Sequence, residues 1–256
     1  MMNRLLLSLG AGVALVMASG CAADRFKPSQ ALPGTNVRNA PPELNLTETQ
    51  ILDHAATQPP APVPGEGWRP LFDGHSLAGW RITEFGGQGR VAVRKGLLLF
   101  SAGTPFTGVR WTNDPPKMNY EISLEAMRVT GSDFFCGLTF PVRDSFCSLI
   151  VGGWGGTLVG LSNLDGADAS ENETTQFVSF ETGRWYRIRL RVTENKIEAW
   201  IEQKKVVNVT TTGRKLSLRF GDIELSKPLG FASWDTGAAL REIKIRTIAT
   251  PDSPTE

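Results

Sequence analysis

The stretch Trp185–Glu202, reading WYRIRLRVTENKIEAWIE, limits the fold of this chain more than any other. Apolar and charged residues alternate on both sides of Glu194-Asn195. That period of two belongs to a strand with one buried face. A turn centred on Glu194-Asn195 pairs Val192 with Ile197, Leu190 with Ala199 and Ile188 with Ile201 on one face. On the other face it pairs Arg191 with Glu198, Arg189 with Trp200 and Arg187 with Glu202. Each pair is a favourable cross-strand neighbour. A slip of one residue would ruin both faces at once, so the register is specified. The arginine row is read as an exposed ladder of ion pairs, each worth ~0–1 kcal/mol, in preference to a site for an anionic ligand.

The same grammar runs through the sequence from Gly65 to Ile248. Val91–Val93 and Leu97–Phe100 flank Arg94-Lys95-Gly96, and Tyr120–Val129 alternates cleanly. Phe134–Phe140 and Phe146–Val151 flank a turn within Pro141–Ser145. Thr157–Leu161, Val206–Val209, Ile223–Leu225, Gly230–Trp234 and Leu240–Ile248 supply further short strands. Helical periodicity is nearly absent. The expected fold is all-β, two packed antiparallel sheets as in a jelly roll. The domain is placed at residues 65–248, with residues 249–256 as a tail.

The first sixty-four residues read differently. Leu5–Met17 is an apolar run behind a single positive charge, too short to span a bilayer. Ala18-Ser19-Gly20 then places small residues before Cys21, the pattern of an export signal over residues 1–20. This site is similar to the bacterial lipoprotein lipobox. The similarity implies lipidation of Cys21 and a membrane anchor, with an ordinary signal peptide as the alternative. Asp24 is not adjacent to Cys21, so the outer membrane is the favoured location. Residues 21–64 hold eight of the sixteen prolines and none of the seven tryptophans, and are read as a linker. Within it, Thr47–Ala55 carries a short helical pattern with Thr47 as cap.

The net charge of +1 gives no electrostatic case for a nucleic-acid partner. With Cys21 assigned to lipid, Cys136 and Cys147 remain, on the two arms of one hairpin. A turn centred on Arg143 takes them out of register, so both are expected as buried free thiols.

A family resemblance rests on four runs. Gly67–Trp80, GWRPLFDGHSLAGW, is similar to the opening motif of the 3-keto-disaccharide hydrolase family, LFNG-x-x-L-x-GW. Trp185 with Asn195–Trp200, then Leu229–Trp234 and Leu240–Ile245, resemble its later strands. The resemblance implies a concanavalin A-like jelly roll acting on 3-keto glycosides. The chain departs from the family on its central strands. Phe135–Phe140 and Cys147–Val151 lack the polar residues that members carry there, so a displaced site or a binding-only role follows.

The densest set of chemically capable side chains lies just beyond. Gly152-Gly153-Trp154-Gly155-Gly156 frames one tryptophan with four glycines, and Asp165, Asp168, Glu171, Asn172 and Glu173 follow with no Lys or Arg among them. Sugar cleavage commonly uses two carboxyl groups. A 3-keto sugar can instead lose its aglycone through one general base and a stabiliser of the enolate oxygen. The expected catalytic residues are Glu171, Glu173 and Asp168. Trp154, Asn172, Asp165, Arg110 and Trp234 are the expected carbohydrate contacts, Trp154 by stacking. A core anchor is the other reading of Trp154 and the favoured one for Trp234, as for Trp68, Trp80, Trp111 and Trp185, and an acidic surface loop is the other reading of the carboxylates. No cofactor is expected, although carboxylates and Asn leave calcium open. The remaining function classes are a glycoside hydrolase or lyase, a carbohydrate-binding module and a structural lipoprotein. Nothing in the sequence indicates an oligomeric state.

Overall fold

The computed structural model describes residues 47–249. The expected export signal with Cys21, the expected linker up to residue 46 and the expected tail beyond Ala249 lie outside the described residues. The chain runs through α1 (Glu48–Thr57), β1 (Arg69–Pro70), β2 (Trp80–Ile82), β3 (Val91–Arg94), β4 (Leu97–Phe100), β5 (Phe106–Trp111), β6 (Tyr120–Thr130) and β7 (Cys136–Val142). It continues with β8 (Ser145–Gly153), β9 (Leu158–Ser162), β10 (Gln176–Phe177), β11 (Tyr186–Val192), β12 (Lys196–Ile201), β13 (Lys204–Thr210), β14 (Gly230–Trp234) and β15 (Gly237–Thr247).

Among the described residues these strands form two antiparallel sheets. The first runs β13-β12-β11-β6-β15-β4-β3, with β1 also paired to β15. The second runs β10-β9-β8-β7-β14-β5-β2. Their facing sides bury one continuous apolar layer. Ile122 and Leu124 of β6 and Ile188 and Leu190 of β11 meet Leu138 and Phe140 of β7, Leu149 of β8 and Phe231 of β14 there. Fully burying each such side chain is worth ~1.5–3 kcal/mol. The expected jelly-roll sandwich is the observed one.

The β11–β12 register is the one the sequence predicts, from Ile188 opposite Ile201 to Val192 opposite Ile197. The β7–β8 hairpin turns at Arg143-Asp144, with Val142 opposite Ser145. This sets Cys136 opposite Val151 and Cys147 opposite Phe140. Both thiols are free and buried, and burial pushes each up to about 12. The expected strand Ile223–Leu225 is instead part of a 3₁₀ turn, Asp222–Ser226.

Two expectations about the outer side of the first sheet change. The arginine ladder is not exposed. Glu121 and Glu125 of β6 are buried, and Glu121 bonds both Arg191 and Arg246, the latter at 2.7 Å from Nε. The cover comes from the stretch expected as free linker. A capping box at Thr47 and Gln50 starts α1, which packs Ala55 against Met127, Val129 and Trp185. The Trp185 indole donates to the Ala55 carbonyl at 3.1 Å. Beyond α1, Arg241 donates to the Gln58 carbonyl at 2.7 Å, the Ala61 amide to Glu125 at 2.7 Å, and Arg187 to the Pro62 carbonyl. Packed structure therefore begins at α1 and not at residue 65. Proline content marked the stretch as poor at packing, but the run after α1, which has no helix or strand, is still pinned by its carbonyls to arginines of the sheet.

Candidate functional site

The outer side of the second sheet carries small and polar residues. Ser162, Ser148, Thr139, Gly230, Arg110 and Arg81 stand in register across β9, β8, β7, β14, β5 and β2. Each alternates with a core residue such as Leu161, Leu149, Leu138 or Val109, so the row faces away from the core. The Thr139 and Ser148 hydroxyls bond each other at 2.9 Å. The central strands thus do present polar groups, but hydroxyls where family members carry amide and charged side chains.

Two segments lie over this row. Loop 163–175 sits on β9, where a Cβ at Gly160 would come within 2.9 Å of the Ala169 carbonyl. Residues 214–229 cross the sheet as a strap. At one end Asn163 and Ser217 exchange backbone hydrogen bonds of 2.6 and 3.2 Å. At the other end the 3₁₀ turn covers Gly230, where a Cβ would meet the Ser226 carbonyl at 2.5 Å.

Strap and sheet together border an open cavity of about 450 Å³. Ser148, Ser162 and Ile150 line its floor, Phe106 and Phe134 its apolar wall, and Arg219, Phe220 and Asp222 of the strap its cover. Trp154, Trp234 and Asp133 complete the lining. Trp154 is 42% exposed and Trp234 37%, which excludes a core-anchor role for either. Trp234 is held edge-on against Phe106, with ring centroids 4.7 Å apart. Phe220, at the strap tip, is 95% exposed.

The glycine frame of Trp154 has a physical cause. Trp154 itself is at φ 48°, and Gly152, Gly155 and Gly156 are at 82°, 84° and 107°. A Cβ at Gly152 would also strike Arg128 and Phe135, both within 3 Å. Arg128 on β6 is the fastener of this loop. Its buried guanidinium donates to the Gly156 carbonyl at 2.8 Å, to Gly152 at 3.4 Å and to Phe180 at 3.3 Å. Burial pulls its pKa down, partly countered by Asp133. Asp133 accepts from the Phe134 amide at 2.7 Å and from Gly155 at 3.4 Å, which ties it to the same loop.

The acidic segment is placed differently from expectation. Asp165 and Glu173 are paired acids. Arg214 of the strap reaches Asp165 at 2.5 Å through Nε and Glu173 at 2.9 and 3.2 Å through both Nη atoms. The Lys215 amide and Arg214 hold the Asp165 carboxyl below the usual carboxylate range. Asn172 is the hub of its own loop. Its amide donates to the carbonyls of Leu161, Ala167 and Asp168 and accepts from Thr174. Asp168 accepts from Ser170 at 2.6 Å and pairs with Arg219 at 3.3 Å. Glu171 is exposed. Neither glutamate lines the cavity, and Arg110 lies on the sheet outside it. The cations that pair these acids arrive from forty residues or more downstream, so no local pattern announces them.

Of the expected site residues, the cavity brings together Trp154 and Trp234, with Asp168 at its edge through Arg219. It adds Asp133, Arg219 and Asp222. For Arg219 and Asp222 the one sequence signal is the run Arg219-Phe220-Gly221-Asp222 in a stretch without strand alternation. Among the described residues no group of three or more His, Cys, Asp or Glu side chains is placed to hold a metal.

No curated protein matches the chain. Among solved structures, a candidate glycosyl hydrolase from Parabacteroides distasonis is similar at 13% identity and a TM-score of 0.46, covering 72% of this chain and 94% of that one. The carbohydrate-binding module CBM66 from Bacillus subtilis is similar at 11% identity and 0.47, covering 66% and 96%. Domain 4 of AbnA, an extracellular arabinanase from Geobacillus stearothermophilus solved with arabinotriose, is similar at 15% identity and 0.44, covering 66% and 82%. The family model of the 3-keto-alpha-glucoside-1,2-lyase-like domain matches residues 67–246, from the opening motif through both sheets into β15. The chain belongs to the 3-keto-alpha-glucoside-1,2-lyase-like family.

Proposed function

We propose that the cavity under the strap binds a glycoside and that the chain acts on 3-keto glycosides as a lyase or hydrolase. One observation carries this reading: two exposed tryptophans, two carboxylates and a guanidinium converge on one cavity of about 450 Å³. The tryptophan faces suit the apolar C–H face of a sugar ring. Asp222 accepts no hydrogen bond among the described residues and is the general base. It takes the proton from the carbon between the keto group and the anomeric centre. The freed electron pair forms the double bond as the aglycone leaves with its oxygen, which takes up a proton from water while Asp222 keeps the carbon's proton, and Arg219 stabilises the enolate. Water then adds if the outcome is hydrolysis. Asp133, fixed by two backbone amides, holds a sugar hydroxyl. The carboxylate pair first sought in Glu171 and Glu173 is thereby moved to Asp133 and Asp222.

A binding-only role is the second reading. It is favoured by the strap, which covers part of the polar row and leaves hydroxyls as its chemistry. Titrating the protein with a 3-keto glucoside and with its unoxidised parent decides between them. Turnover of the 3-keto compound supports the enzyme. Binding of either compound without turnover supports the module.

Export and lipid anchoring at Cys21, facing the periplasm or cell surface, belong to the same proposal. The support is the apolar run Leu5–Met17 followed by Ala18-Ser19-Gly20-Cys21. Cys21→Ser moves the protein to the soluble fraction if this is right; unchanged membrane fractionation removes the anchor.

A further inference from the structure

The outer side of the first sheet has three charged rows, and one of them is incomplete. In the first row Glu198, Arg191, Glu121 and Arg246 alternate in sign across β12, β11, β6 and β15. In the third, Arg187, Glu125 and Arg241 alternate likewise. The middle row reads Lys205, Trp200, Arg189, Ser123 and Lys244, three cations and no acid. Where β6 supplies Glu121 and Glu125 to the flanking rows, it supplies Ser123 here.

The two lysines of this row turn to acids elsewhere. Lys205 pairs with Glu198, and Lys244 with Glu242 at 2.6 Å. Arg189 has no carboxylate within salt-bridge distance among the described residues. Its guanidinium lies over the Trp200 ring, 4.0 Å from the centroid. Partial burial pulls its pKa down, the nearby Glu121 charge opposes this, and the neighbouring arginines add to the lowering. The Ser123 hydroxyl beside it is buried and has no hydrogen-bond partner.

The position is open to a ligand. Arg189 lines a groove of about 630 Å³ between the sheet and the run Ala61–Pro64. Trp200, Arg187, Glu202 and Gln203 share its sheet wall. Glu202 is engaged by Arg187, through the Arg187 amide at 3.2 Å and the guanidinium at 3.9 Å.

We propose that this groove is a second saccharide site, selective for a sugar acid whose carboxylate completes the middle row on Arg189. A flat guanidinium pre-set on an indole presents two N–H donors to a carboxylate. One unmatched cation fits one carboxylate charge. The proline wall offers apolar surface to the C–H face of the attached ring. The site lies on the opposite sheet from the cavity and does not depend on the reading given to that cavity.

The test is calorimetric titration of the protein with trigalacturonate, with maltotriose and inorganic phosphate as comparison probes. Trigalacturonate is expected to bind, weakening with salt, and maltotriose not to bind at the groove. Arg189→Gln is expected to lower trigalacturonate affinity about tenfold or more, the scale of a charge-assisted contact. Arg189→Lys restores part of it. Ser123→Asp supplies the missing acid from β6 and competes with the ligand, so binding falls there too. Trp154→Ala in the cavity leaves trigalacturonate binding unchanged. Unaltered affinity in Arg189→Gln overturns the site. Phosphate binding to Arg189 as tightly as trigalacturonate overturns the sugar-acid class, and absence of trigalacturonate binding by the unaltered protein overturns both.

Discussion

The two outer faces of the sandwich are built on opposite principles. The first sheet presents long charged side chains in cross-strand pairs, Arg189 of the middle row excepted, and the proline-rich run and α1 pack on this face. Glu121, fully buried, sits between Arg191 and Arg246. The second sheet presents glycine, serine and threonine, and the strap arches over them to leave a cavity rimmed by exposed aromatics. Charge that finds its partner within the sheet builds structure. Small residues on a covered sheet leave room, and room with unpaired polar groups is where a ligand can act. The location of the site thus follows from what each face leaves unsatisfied.

If that contrast is real, stability and activity should respond to opposite faces. The largest effect is expected at Glu121. Replacing it with Gln leaves the largely buried guanidinium of Arg246 without a carboxylate and Arg191 with Glu198 alone, at 3.7 Å. Removing one partner of a buried ion group costs ~3–5 kcal/mol. In a domain of this size that lowers the melting temperature by ~6–20 °C. Calorimetric unfolding checks it, and sugar binding at the cavity should be unchanged at temperatures where the variant is folded. A melting temperature within 2 °C of the parent would mean the ladder contributes no more than surface pairs do.

The cavity face should show the reverse. Asp222→Asn is expected to reduce turnover of a 3-keto glycoside about 100-fold, the scale of losing a general base. Its melting temperature should hardly move, since the side chain is exposed and makes no hydrogen bond in the fold. Glu171→Gln should leave turnover intact, because Glu171 lies outside the cavity lining. The opposite result, with Glu171 essential and Asp222 dispensable, returns the site to the acidic loop. Trp154→Ala is expected to weaken glycoside binding about tenfold, within the range for losing one aromatic contact.

Arg128 connects the faces and separates packing from positioning. It stands on the first sheet but donates to the carbonyls that shape the Trp154 loop. Arg128→Met keeps the length and apolar stem and removes the donors. Iodide quenching of tryptophan fluorescence should rise as the loop loosens, by an increment that disappears in an Arg128→Met, Trp154→Phe double variant. KM should rise more than kcat falls. A melting shift with no change in the quenching of Trp154 would make Arg128 a packing residue only.

Much of the fold was legible because periodicity is local. Trp185–Glu202 carries its own register, and the structure adopts it pair for pair. The free thiols followed from the position of a single turn. The cover of the first sheet was not legible, since proline content predicts extension and says nothing of where the carbonyls dock. The candidate site was half legible. Glycines around Trp154 signalled a special loop because positive φ and close approach demand them. Asp165 and Glu173 looked unpaired because Arg214 comes from the strap, and Asp222 stood unremarked just before Ile223–Leu225, a run expected as strand that is part of a 3₁₀ turn. Pairing across a fold is a three-dimensional fact that charge order along the chain does not carry.

The smallest expected effect belongs to neither face and serves as their control. Asp73 in the opening motif accepts the amides of His75 and Ser76 at 2.7 and 2.8 Å and the Ser76 hydroxyl at 2.7 Å. These bonds favour the carboxylate and hold it down to about 2, from 3.8. A lowered carboxyl contributes stability that is present above its unfolded value and is lost as pH falls through its folded value. The window is therefore about pH 4 to 2. Wild type and Asp73→Ala should differ slightly in melting temperature at pH 5, and the gap should close progressively as pH falls through that window. The Glu121 variant run alongside should keep a much larger gap at pH 5, because its charge sits under cover and Asp73 sits in water. If the Asp73 gap matched that of Glu121 at pH 5, exposure would not be what separates the two faces, and the contrast between a structural and a functional side would lose its physical basis.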